Sequence, residues 1–193
     1  MTNNIYNQIK EYTALTVYEI NHLINTVAFA PQGNVVIAGT YLGGDVMSMT
    51  LTSPEREYHV IDSFQGLAAP AEEDMCDAPC LEGEFNAGGL EKWINNFKIK
   101  QIREPRTYPM FIDENTIQSV DVNNIAVLWL DLDHYIPTKA CLDHFYDKVV
   151  PGGKILTHDY DFHKCPGVRK ACDPYGETWE IPRNTGIGQI YKK

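Results

Sequence analysis

Two short stretches of the chain concentrate groups that can hold a cation or move a proton. Asp131-Leu132-Asp133 runs on into His134 and Tyr135, and His158-Asp159-Tyr160-Asp161 follows later in the 193 residues. Crowded carboxylates repel one another and resist desolvation, so they mark either a cation site or a base of tuned strength. A few oxygen donors with room for water suit Mg²⁺. The plainer reading, an acid capping a helix, applies best to Asp133. A second pattern is Gly39-Thr40-Tyr41-Leu42-Gly43-Gly44, with Asp62 23 residues beyond Gly39. Glycine lets a ligand approach the backbone, and a following helix offers its N-terminal amides. A carboxylate about 20 residues further on can accept the ribose hydroxyls of an adenosine-containing cofactor. The spacing Gly39-x-x-x-Gly43-Gly44 departs from G-x-G-x-x-G and disfavours a nicotinamide dinucleotide.

These residues need elements to position them. Residues 34–39 (NVVIAG) are a short apolar run that predicts a strand buried on both faces, 58–62 (YHVID) predict a second strand, and 125–131 (IAVLWLD) the strongest strand of the chain. Residues 99–103 predict a weaker third strand, and Lys154 to Tyr160 another strand after the turn Pro151-Gly152-Gly153. Between them, helices are predicted over Asp45–Leu51, over Gly89–Phe97, and from Pro137 to Val149, since proline is tolerated in a first turn. From Asn3 to about Phe29, Ile5, Ile9, Tyr12, Leu15, Leu23 and Val27 recur at helical intervals. Residues 63–86 read as a long loop whose acids Glu72, Glu73 and Asp74 face solvent, with Gly83, Gly88 and Gly89 supplying mobility. Residues 179–182 and 186–191 suggest a closing hairpin. The fold class is α/β: a Rossmann-like, mostly parallel central sheet with a C-terminal antiparallel hairpin and helices on both faces. One domain spans 1–193, with an N-terminal helical segment (1–31) and a core (34–193). Ligands of such sheets bind beyond the carboxyl ends of the strands, where the acids and glycines above fall.

The bulk numbers narrow the partners. Lys plus Arg total 16 against 26 Asp plus Glu, a net charge of −10, which disfavours a nucleic-acid substrate. No stretch reaches the roughly 20 apolar residues of a membrane span, and the first residues lack a signal-peptide pattern, so a cytoplasmic location is expected. The five cysteines lack a regular framework and suit a reducing compartment. A zinc site built from Cys76 and Cys80 with Cys165 and Cys172 is the minor reading, because no CxxC pair is present. Trp129 reads as core, His22 and His144 as surface or capping residues, and His163 as a weak candidate contact.

Residues 34–46 (NVVIAGTYLGGDV), 62–67 (DSFQGL), 128–138 (LWLDLDHYIPT), 150–160 (VPGGKILTHDY) and 165–175 (CPGVRKACDPY) together resemble the macrocin O-methyltransferase family of S-adenosylmethionine (SAM)-dependent enzymes. The resemblance implies a class I methyltransferase that moves a methyl group from SAM to a hydroxyl of a small molecule, of sugar or natural-product type. It implies Gly39, Tyr41, Gly43, Gly44 and Asp131 around the methionine and ribose of SAM, Asp62 on the ribose, and Ser63 and Phe64 beside the adenine. It also implies a metal, Mg²⁺ or Mn²⁺, on Asp131, His158 and Asp159, with Asp131 or His158 as the catalytic base. Ile37 stands where the family carries an acid, and His158 replaces the first member of a paired Asp-Asp. These departures motivate an alternative, a degenerate SAM-binding protein without catalysis. Covering the site and mediating a homo-oligomer are both open roles for the N-terminal helices.

Overall fold

The computed structural model describes residues 2–176 and 178–193. Helices α1 (Thr2–Ile9) and α2 (Val17–Phe29) precede strand β1 (Asn34–Ala38), followed by α3 (Gly44–Thr52), β2 (Tyr58–Asp62), α4 (Leu90–Lys100) and β3 (Arg106–Pro109). Then come β4 (Ile125–Leu130), α5 (Tyr135–Phe145), β5 (Val149–Thr157), α6 (Pro166–Cys172) and β6 (Gly188–Tyr191). The six strands form one sheet in the order β3-β2-β1-β4-β5-β6. All neighbours are parallel except β5 and β6, which are antiparallel. The order reverses between β1 and β4, where an α/β sheet opens a crevice for ligands.

Each face of the sheet buries its own apolar layer. On one face Ile9, Ile20, Leu23 and Val27 of the N-terminal helices pack with Val35, Ile37, Trp93 and Trp129. On the other, Leu142, Phe145 and Val168 pack against Val36, Leu128 and Ile155. α2 starts on a capping box: Thr16 Oγ1 accepts the Glu19 amide, and the Glu19 carboxylate accepts the Thr16 amide.

Several boundaries differ from expectation. The third strand is Arg106–Pro109, not 99–103, because α4 continues to Lys100 and stops at Gln101 in the left-handed conformation. Pro105 and Pro109 hide this strand in the sequence, and they are tolerated because β3 is an edge. α5 begins at Tyr135 rather than Pro137 and ends at Phe145, before a short 3-10 turn. β5 runs through Pro151-Gly152-Gly153, where its register against β4 shifts in a bulge, and it ends at Thr157. The partner of β6 is β5, and the 179–182 arm adds the single bridge Glu180–Gln189. α6 was not anticipated.

The 63–86 segment is fastened to the body. Asp74 is buried, with Oδ1 accepting the Tyr135 amide at 2.7 Å and Oδ2 the Ala71 amide at 2.9 Å. It therefore caps α5 from 61 residues away and is not a solvated loop acid. Gly167 of α6 leaves it room, since a Cβ there would lie 1.9 Å from Asp74 Oδ1. Lys170 donates to the Glu73 carbonyl at 2.7 Å. The Leu67 amide donates to the Glu84 carbonyl, and the Gly83 amide to that of Leu67, both at 2.9 Å.

Candidate active site

Three backbone bonds carry the sheet ladder beyond the strand ends. Gly39 N–H donates to Ile61, Asp131 N–H to Ala38 and His158 N–H to Leu130, at 3.0, 2.8 and 2.8 Å. The residues that follow β1, β4 and β5 are thereby held in register at one mouth. Gly39 has φ +78°, and a Cβ there would lie 1.8 Å from the Asp131 carbonyl oxygen, so only glycine fits. A cavity of about 470 Å³ opens above this mouth.

One end of the cavity is bounded by Gly39, Thr40, Tyr41, Asp62, Ser63 and the 110–112 segment. Asp62 Oδ2 accepts the Thr40 amide at 2.8 Å and Oδ1 the Phe64 amide at 2.6 Å. Burial raises its pKa, and these amides oppose the rise. Tyr41 meets Phe85 of the 63–86 segment edge to face, with ring centroids 5.7 Å apart. Gly43, Gly44 and Phe64 stand outside the lining. Gly43 abuts Trp93 and Phe97, Gly44 abuts Tyr12 and Thr13, and Phe64 packs on Trp93 at 5.1 Å.

The other end holds Asp131, Asp133, His158 and Asp159, and Glu19 reaches it from α2. His158 Nδ1 lies 2.8 Å from Asp159 Oδ2 and 3.5 Å from Asp131 Oδ1, while Nε2 lies 3.2 Å from Glu19 Oε1. Burial alone would lower the His158 pKa, but Asp131, Asp159 and Glu19 outweigh it and raise it well above the ordinary value. The surrounding carboxylates thus favour the protonated ring. Burial also pushes Glu19 up, yet hydrogen bonds from His158 and from the Gly186 and Thr16 amides bring it down to about 2. Asp131 is raised, mainly by burial and despite the His158 charge. Asp133 is raised by burial and by Asp159. Asp133 and Asp159 both have left-handed backbones, at φ +60° and +58°.

Sequence reasoning missed two cavity carboxylates. Glu19 sits in a helix 139 residues from His158; the Thr16–Glu19 capping box was its only trace. Asp45 on α3 is buried at the cavity wall, accepting the Thr40 hydroxyl at 2.7 Å and the Trp129 indole N–H at 3.0 Å. Burial raises its pKa to about 6. Ile37, which pairs in register with Trp129, is wholly buried, so the carboxylate on this side comes from α3 rather than β1. His163 lies outside the lining, beside Phe162, and His22 and His144 bond Gln189 and the Val120 carbonyl.

The sheet order, the crevice and the acid at the end of β2 define a class I methyltransferase fold. Residues 17–187 match the family described as Macrocin-O-methyltransferase (TylF), and the chain belongs to that family. A curated relative, demethyldecarbamoylnovobiocin O-methyltransferase of Streptomyces niveus, is 28% identical over 160 residues, which is 77% of this chain. The chain spans 60% of that relative's length. Among solved structures, the O-methyltransferase NovP superimposes with a TM-score of 0.78 at 21% identity, over 94% of this chain and 82% of that one. The calicheamicin methyltransferase CalS11 gives 0.72 at 16% identity, over 90% and 77%. The SAH-bound Podospora anserina methyltransferase PaMTH1 gives 0.62 at 11%, over 100% and 87%. These structural likenesses speak for the fold.

Proposed function

We propose that the chain is a SAM-dependent O-methyltransferase acting on a hydroxyl of a small molecule of sugar or natural-product type. The observation that carries this reading is one cavity joining an adenosine-type end, Gly39 to Asp62, to a proton-handling end, Asp131 to Asp159. In this reading Asp62 accepts the ribose hydroxyls, Tyr41 and Ser63 flank the nucleoside, and Asp45 takes over the charge that Ile37 lacks at the methionine end. When bound, SAM supplies an electrophilic methyl group. The protein must align the acceptor oxygen for in-line attack and take its proton. Asp131 is the base, being the cavity carboxylate held in register directly beyond β4 and 3.5 Å from His158 Nδ1. His158, held by Glu19 and Asp159, orients Asp131.

Asp131, His158 and Asp159 bring one donor atom each within 4.8 Å of one another, a set that would hold Mg²⁺ or Mn²⁺ provided His158 Nδ1 gives up its proton. Such an ion would make the acceptor hydroxyl more acidic. No step is routed through a metal here. The acceptor is a small molecule rather than a nucleic acid, consistent with the net charge of −10.

The test is calorimetric titration with S-adenosylhomocysteine (SAH), followed by product detection against a panel of sugar and phenolic hydroxyl acceptors. Micromolar binding and methyl transfer that vanishes in Asp131→Asn are expected. SAH binding with no methylated product from any acceptor would favour the non-catalytic alternative, and no SAH binding would overturn the proposal.

A further inference from the structure

Beside the Asp131–His158 pair, three groups from distant parts of the chain converge. Cys80 of the 63–86 segment, Asp133 after β4 and Cys165 before α6 bring their ligand atoms within 4.8 Å of one another. The Cys80 and Cys165 sulfurs are 3.7 Å apart, and Asp133 Oδ1 lies 3.8 Å from the first and 3.7 Å from the second. A tetrahedral Zn²⁺ holds sulfur at about 2.3 Å and carboxylate oxygen at about 2.1 Å, which sets the S–S edge at about 3.8 Å and each S–O edge at about 3.6 Å. The triangle therefore has the dimensions of one face of a tetrahedral S₂O site.

We infer that Cys80, Asp133 and Cys165 bind a soft divalent cation of the Zn²⁺ class, with the fourth position opening on the cavity. Two further observations support it. Cys80 and Asp133 both line the cavity, so a water or an acceptor oxygen can complete the tetrahedron. The ligands are also held from behind: His134 Nε2–H donates to the Cys80 carbonyl at 3.1 Å, and the left-handed backbone of Asp133 turns its carboxylate toward both thiols. Thiolate donors select Zn²⁺ over Mg²⁺. Binding releases the two thiol protons to solvent and ties the 63–86 segment to the mouth of β4 and the start of α6. Cys76, Cys141 and Cys172 take no part.

The test needs no methyl transfer and so stands apart from the proposed activity. The full chain, reduced and stripped with a chelator, is titrated with Co²⁺ and then Zn²⁺. One Co²⁺ per chain with thiolate-to-metal charge-transfer absorption, displaced by Zn²⁺, is expected. The band is lost in Cys80→Ser and Cys165→Ser and retained in Asp131→Asn. On the native chain, Zn²⁺ slows alkylation of Cys80 and Cys165 at least tenfold while Cys76 stays reactive, which decides the matter if a variant fails to fold. Absence of the band and of the protection in the reduced, folded chain would overturn the inference. So would a band that survives both serine variants, or a reduced chain that takes up no ion and closes only a Cys80–Cys165 disulfide on oxidation.

Discussion

Glu19 shows how one side chain can serve a fold and a site together. Its Oε2 closes the capping box on Thr16, and its Oε1 accepts from Gly186 at 2.9 Å and meets His158. Its pKa falls from 4.5 to about 2, so the folded state holds the ionised form more tightly than the unfolded chain does. That stability is present above pH 4.5 and disappears as pH falls toward 2. Acid unfolding of Glu19→Gln should accordingly be flatter with pH than that of the parent, the two curves converging near pH 2. A parallel offset across the whole range would show that the charge is unimportant. At the other end, if Asp62 accepts both ribose hydroxyls as proposed, Asp62→Ala should weaken SAH binding by roughly 100-fold or more. Calorimetry reads this directly, and an unchanged Kd would remove Asp62 from the cofactor.

At the scale of elements, Asp74 is the test of how the 63–86 segment is held. Asp74→Ala leaves the Tyr135 and Ala71 amides without their acceptor and should cost about 2–4 kcal/mol. In a thermal scan this is a Tm fall of roughly 5–10 °C; a fall under 2 °C would mean that the segment is fastened elsewhere. Elements were legible in the sequence where apolar runs were long. The run 125–130 is buried throughout as β4, and 34–38 became β1. β3 was not legible, because a part-exposed four-residue edge strand ending at Pro109 carries little apolar signal. α6 was missed because seven residues opening with Pro166-Gly167 hold too few helical positions to show a period. The strand-end acids Asp62, Asp131 and Asp159 could be found because their position follows from the strands. Glu19, Asp45 and the meeting of Cys80 with Cys165 depend on how helices and loops pack, which local sequence does not encode.

At the scale of the whole molecule, the two apolar layers meet the sheet from opposite faces, while the cavity gathers side chains from both sides of the β1–β4 switch. A ligand filling it therefore bridges β1, β2, β4 and β5 and should stabilise the chain globally. SAH at 100 times its Kd should add about 2.7 kcal/mol, a Tm rise of roughly 5–10 °C. A rise confined to local hydrogen-exchange protection near Asp62, with Tm unchanged, would mean that the two ends of the cavity unfold independently. No helix among the described residues is long and apolar enough to cross a membrane.

Tyr41, Asp133 and Asp159 follow the ends of β1, β4 and β5, and all three have positive φ angles without being glycine. Left-handed backbone costs an L-residue about 1–2 kcal/mol, less for aspartate. The strand ends thus hold a reserve of conformational energy that the sequence could shed by substituting glycine. Asp133→Gly and Asp159→Gly would relax the backbone while deleting the carboxylates that give the mouth its chemistry. A thermostability selection applied without an activity screen would be drawn to these positions early. Directed evolution of this chain would therefore meet its trade-off between robustness and turnover at the rim of the sheet before meeting it in the core.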